Sequence, residues 1–108
     1  EAGMYQAAVA QYRNALSLRP GFADLGLELA RTHVEAGEPA EAFAVTEQVL
    51  TVRPDWADAM LLQGLAAYLA GDLERAGSLW ANAAERHPDE PRVETYRSML
   101  ARRLGEQS

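Results

Sequence analysis

ADAMLLQGLAAYLAGDLERAGSLWANAAERHP, residues 57–88, decides how the rest of the chain is read. Its first half, over 58–70, carries Met60, Leu61, Leu65, Tyr68 and Leu69 around the small residues Gly64, Ala66 and Ala67. Its second half, over 73–86, sets Leu73, Ala76, Leu79, Trp80 and Ala83 at three- and four-residue steps, the spacing of one helix face. Between the halves, Gly71 supplies a left-handed stop for the first helix and Asp72 an N-cap for the second. Pro88 has no N–H and a fixed φ, so the second helix ends before it. The stretch predicts a helical hairpin.

The hairpin recurs. Gly3, Gly37 and Gly71 are spaced 34 residues apart, as are Ala8, Ala42 and Ala76, and Pro20, Pro54 and Pro88. Each residue type has a physical role. Glycine turns the chain, alanine lets two helices approach, and proline stops the second helix. With this register the chain resembles the tetratricopeptide repeat family, whose unit is about 34 residues. Gly64, Gly71, Ala76, Trp80, Ala83 and Pro88 occupy that family's pattern positions, and the middle unit (23–56) matches through Leu29, Ala30, Gly37, Ala42 and Pro54. It departs where aromatics are usual, with Gly26, His33 and Thr46 in their place. The resemblance implies an all-α fold, a right-handed superhelix of antiparallel helix pairs, divided into a partial repeat (1–20), repeats over 21–54 and 55–88, and a capping helix over 89–108.

In chain order, a helix is expected over 4–18 with Tyr5, Ala8, Val9, Tyr12, Ala15 and Leu16 on its apolar face, its pairing helix lying upstream of the sequence. Helices come next over 23–36, over 39–52 with Pro39 at the first helical position, and over 56–70, where Asp55 is expected to cap and Asp58 to sit in the first turn. A last helix over about 91–104 sets Val93, Tyr96, Leu100 and Leu104 on one side. Where a further helix would dock it offers the mostly polar Glu94, Arg97, Ser98 and Ala101, so it reads as a solvating cap and the array is expected to end there.

Composition sets the excluded classes. The net charge is −6, and all ten basic residues are arginine. Nucleic-acid binding needs clustered bases, so it is not expected, although pentatricopeptide repeats of similar period read RNA. There is no cysteine, hence no disulfide and no thiolate metal site. Charged residues recur in every segment, so no membrane insertion is expected. The arginine, alanine, leucine and glycine bias suggests a bacterial origin, and a cytoplasmic and a periplasmic location are equally compatible with it.

No catalytic, cofactor-binding or metal-ligating constellation stands out. His33 sits at a core-type position and reads as a structural residue, packed or partly exposed; His87 precedes Pro88 in a loop with no second histidine at helical spacing. The carboxylates read as caps and solvated faces, the serines lie in no nucleophile elbow, and no glycine-rich phosphate loop occurs. The chain is therefore read as non-enzymatic.

The resemblance implies that the first helix of each hairpin lines a concave groove. The matching positions are Asp24, Leu27, Glu28, Arg31, Val34 and Glu35 in the middle unit; Asp58, Leu61, Leu62, Leu65, Tyr68 and Leu69 in the next; and Arg92, Thr95, Tyr96, Met99, Arg102 and Arg103 on the cap. Family members that grip acidic chaperone tails use a Lys/Asn/Arg clamp here, whereas both hairpins of this chain have acids or leucines. The groove is instead expected to have an apolar floor (Leu61, Leu65, Tyr68, Leu69) between an acidic wall (Asp24, Glu28, Glu35, Asp58) and a basic one (Arg92, Arg102, Arg103). Such a groove suits a protein or peptide segment, an amphipathic helix among them, in a scaffold or adaptor role. The alternative is self-association into a homo-oligomer, through the same groove or the open face of the helix over 4–18.

Overall fold

A computed structural model describes residues 23–107 and, ahead of them, Ala7, Ala10, Gln11 and Asn14. Those four are helical and exposed; the apolar face expected over 4–18 lies outside the described residues. From Ala23 onward the chain forms five α-helices: α1 (Ala23–Glu35), α2 (Pro39–Val52), α3 (Ala57–Leu69), α4 (Leu73–Arg86) and α5 (Pro91–Gln107). Among the described residues there is no strand. The fold is the expected all-α stack: α1 pairs with α2 and α3 with α4, α2 lies against α3 and α4 against α5, and the first helices meet as α1 on α3 and α3 on α5.

The two hairpin turns are built alike. Gly37 and Gly71 have φ of 77° and 89°, a region where a side chain is strained. The amide of Glu38 donates back to the His33 carbonyl (2.8 Å) and that of Gly37 to Val34 (3.1 Å); the amides of Asp72 and Gly71 donate to Ala67 (2.9 Å) and Tyr68 (3.0 Å). This is the paired six-to-one and five-to-two bonding that satisfies the last carbonyls of a helix ended by glycine. Asp72 then caps α4, its carboxylate accepting from the Arg75 amide at 3.2 Å.

Two apolar clusters share α3. One joins α1, α2 and α3 through Leu27, Leu29, Val45, Val49 and Leu62; the other joins α3, α4 and α5 through Met60, Leu61, Trp80, Val93 and Leu100. Leu50 and Leu65 pack against both. The centre of the second cluster is Trp80, with no exposed surface. Its indole lies over Gly64, where an added Cβ would come within 2.6 Å of Trp80 Cδ1, and its Nε1–H donates to the Leu61 carbonyl at 3.2 Å. A glycine in mid-helix costs about 1 kcal/mol against alanine; here it makes the hollow that the indole fills.

Two sequence expectations are corrected. Asp55 does not cap α3: Trp56 stands at the N-cap with no side-chain bond, and the Asp55 carboxylate instead lies 3.4 Å from Arg86 and 3.3 Å from His87 Nε2 on the next loop. The last helix continues to Gln107, because Gly105 stays helical at little cost in an exposed final turn. Leu104 lies on the same side of this helix as Val93 and Leu100 and is exposed where they are buried.

Candidate functional site

The face shared by α1, α3 and α5 is the candidate site, and the 34-residue register sorts its side chains into rows. Asp24, Asp58 and Arg92 form the first row. Arg92 Nη2 is 2.6 Å from Asp58 Oδ1 and 2.7 Å from Glu90 Oε1, while its Nε and its own amide donate to Glu90 Oε2 at 3.0 and 2.9 Å. The hydrogen bonds from the Arg92 side chain, then that from its amide, hold the Glu90 carboxyl down at about 2. The same partners, Glu90 first and Asp58 second, push the Arg92 guanidinium above its ordinary range. Asp24 is engaged too, at 3.2 Å from Arg53 Nη1, whose guanidinium also sits 3.9 Å from the centre of the Trp56 ring. This rim of the face is closed on itself by ion pairs.

Deeper rows are partly core. Leu27 and Leu61 are buried, as is Leu62. For Leu27 and Leu61 this narrows the groove expected from sequence: α2 and α4 lie close enough to cover them, and Leu61 belongs to the Trp80 cluster. The rows nearer the hairpin turns are open. Arg31, Leu65 and Met99 form one row, with Arg31 exposed and the other two half-buried; Val34, Tyr68 and Arg102 form the next, with only Arg102 exposed. Glu35, Leu69 and Arg103 form the last, where Leu69 is 48% exposed. Glu28 is exposed beside buried Leu62 and half-buried Tyr96.

An aromatic run backs this open part. Tyr68 lies 5.9 Å from Trp80, and Trp80 stacks on Tyr96 at 5.1 Å and 11°. Arg103 completes it at the surface, its guanidinium 5.1 Å from the Tyr68 ring centre. A guanidinium over a ring face is attracted to the ring's negative quadrupole, so Arg103 is drawn toward α3. The partner of Arg92 that sequence reading missed, Glu90, has a signal in the chain: it stands two residues before the arginine, just ahead of Pro91 at the start of a helix, where a carboxylate meets free amides.

The two histidines are structural in placement. His33 is 1% exposed, with Nδ1 2.9 Å from Glu38 Oε1, which assigns the proton to Nδ1; its Nε2 has no hydrogen-bond partner among the described residues. His87 is at ion-pair distance from Asp55 without hydrogen-bond alignment. Depressions of about 380 and 370 Å³ flank the His87 loop, and one of about 220 Å³ lies between Phe43 and Arg75. Among the described residues no group of three His, Cys, Asp or Glu side chains could hold a metal ion, and no helix is long and apolar enough to cross a membrane.

Comparison with known proteins bears on what such a face is for. Two family models, both described as tetratricopeptide repeat, match residues 1–66 and 58–90. No curated protein matches the chain. Of 22 solved chains that match, one is the NMR structure of the second TPR domain of the human RPAP3 protein in complex with the HSP70 peptide SGPTIEEVD. The likeness covers 93% of this chain and 83% of that one at a TM-score of 0.78 and 19% identity, which is a likeness of fold.

Proposed function

The chain belongs to the tetratricopeptide repeat family, and from that premise we propose that it is a protein-interaction module which holds a protein or peptide segment on the face of α1, α3 and α5. In this reading residues 1–20 are a partial repeat, 21–54 and 55–88 repeat units and 89–108 the capping helix. The observation that carries the proposal is the exposure of Leu69 beside half-buried Leu65, Tyr68 and Met99, on the same face as charged side chains. A contiguous exposed apolar patch rimmed by polar groups is the usual mark of an interaction surface. The closed ion pairs of Asp24 and Asp58 leave the part of the face nearest the hairpin turns as the contact area. Nothing about it asks for a reaction, and we read the module as a scaffold or adaptor without catalysis.

The HSP70 peptide bound by the RPAP3 domain carries acidic residues near its end. The face proposed here sets Glu28 and Glu35 on α1 against Arg102 and Arg103 on α5, with no base on α3, a field of both signs rather than the uniformly basic one that complements an acidic tail. The ligand we propose is therefore apolar in its contact surface, with charges of both signs.

The test is selection of peptides from a displayed library against the whole chain, followed by titration of a selected binder with wild type and Leu69→Arg. Leu69 is the better probe than Leu65, since Leu65 packs against both clusters and its loss would also loosen the fold. Leu69→Arg is expected to weaken binding about tenfold or more with an unchanged melting temperature. Unchanged affinity would remove this face from the reading. Sedimentation equilibrium of the same two proteins tests the self-association alternative: a concentration-dependent mass that Leu69→Arg abolishes puts the contact in the groove, and one that Leu69→Arg leaves intact puts it at the face of the helix over 4–18.

A further inference from the structure

The open part of the face is electrically polarised, and that polarity has a direction. Asp24 is paired with Arg53, and Asp58 with Arg92, which also holds Glu90. The charges on the face with no ion-pair partner among the described residues are Glu28, Arg31 and Glu35 on α1 and Arg102 on α5, joined there by Arg103 over Tyr68. The α1 side therefore carries two acids against one base, the α5 side two bases against one acid (exposed Glu106, one turn beyond Arg102), and α3 between them contributes uncharged side chains alone.

We propose, resting on the interaction reading above, that the occupant is an amphipathic helix of a partner protein, laid across α5, α3 and α1 with an acidic first turn at Arg102 and a basic last turn at Glu28 and Glu35. Charge complementarity places the occupant's acids over α5 and its bases over α1, and the helix dipole makes the acidic end the N-terminus, because a helix is stabilised by acids at its N-terminus and bases at its C-terminus. A helix of the opposite charge order would meet the same charges only by lying the other way round, with both terminal charges set against its own dipole. The length follows from the scaffold: helices packed 8–10 Å apart put α1 and α5 roughly 16–20 Å from each other across α3, and at 1.5 Å per residue about twelve residues cover that span. Apolar residues at i, i+3 or i+4, and i+7 of such a helix would meet Leu65, Leu69 and Met99.

The probe is a pair of synthetic helical peptides of about sixteen residues, with one identical leucine stripe and one composition. In the first, glutamates fill the first turn and lysines the last; in the second the same glutamates and lysines alternate along the polar face. The acid-first peptide is expected to bind the whole chain about tenfold tighter at low salt, each surface pair giving a factor of a few, with the preference shrinking as salt screens it. A nitroxide on the first residue of the acid-first peptide should broaden the amide resonances of α5 before those of α1. In the doubly exchanged protein Glu35→Arg/Arg102→Glu the broadening should move to α1, and because both side chains are exposed its melting temperature should match wild type. Equal affinity of the two peptides, both sensitive to Leu69→Arg, would overturn the polarity and leave the face as the binding site. Broadening of α1 first in wild type would overturn the direction. Binding by neither would overturn both the polarity and the interaction reading of this face.

Discussion

The α1/α2 and α3/α4 hairpins have the same turn and fill their interiors by different means. In α3/α4 the bulk comes from the second helix: Trp80 is buried over Gly64, and the first helix stays small at Ala67. In α1/α2 the residues 34 positions earlier are Thr46, Ala30 and His33, all buried, and the large side chain now stands on the first helix. The turn residues differ in the same way. Asp72 caps α4, whereas Glu38 makes no cap and lies 2.9 Å from His33 Nδ1 instead. A repeat therefore keeps backbone geometry and total filling, not the source of either. The volume one helix gives up at a position is supplied by the other, as close packing of an interior demands.

The difference can be broken most directly at its bulkiest member. Trp80→Ala is expected to cost about 3–5 kcal/mol, because a full indole is lost along with its contacts to Tyr68 and Tyr96. Thr46→Ala, at the matching position, removes little volume and one local bond to the Phe43 carbonyl, and should cost about 1 kcal/mol. Urea titrations of the two variants measure both, and equal losses would mean that the hairpins are not filled differently. A smaller effect is expected at the hollow. Gly64→Ala gains helix propensity but drives a methyl into the indole, for a net loss of about 1–3 kcal/mol, whereas Ala30→Gly should lose only about 1 kcal/mol. A stabilised Gly64→Ala would show that Trp80 can move away.

Two further variants separate the turns. Asp72→Ala removes a cap, worth about 1 kcal/mol, and its loss should show as faster amide exchange at the start of α4. Glu38→Ala removes no cap and leaves a buried imidazole with neither nitrogen partnered, for a loss of about 1–3 kcal/mol; the companion variant His33→Leu should erase most of that loss in a double-mutant cycle. Additive effects of Glu38→Ala and His33→Leu would exclude the pair as the reason Glu38 does not cap.

Much of this was legible in the chain. The expected helices over 39–52 and 73–86 match α2 and α4 to the residue, since Pro39 starts one, Gly71-Asp72 frames the other and Pro54 and Pro88 end both. The structural role of His33 was legible from its place in the repeat register, and its full burial only from the fold. Less legible was which residues of the first-helix face remain exposed. Leu27 and Leu61 share the helical face of their open neighbours but are covered by helices distant in sequence, and Arg92 reads as a free base until Glu90 and Asp58 are seen beside it. The role of Asp55 was misread for the same reason. Its position before a helix suggests a cap, and only the arrival of Arg86 and His87 from the next hairpin redirects it.

From the sequence alone came the all-α class, the repeat period, the hairpin turns and the family, because these rest on local rules: helix periodicity, glycine's positive φ and proline's missing amide. The tertiary structure alone decided the depth and charge of the face, with Leu61 inside and Leu69 outside, the Asp58 rim closed and Arg102 left open. Burial and ion pairing depend on atoms brought together from far along the chain, and a side chain's neighbours across a helix stack are not written in its own segment.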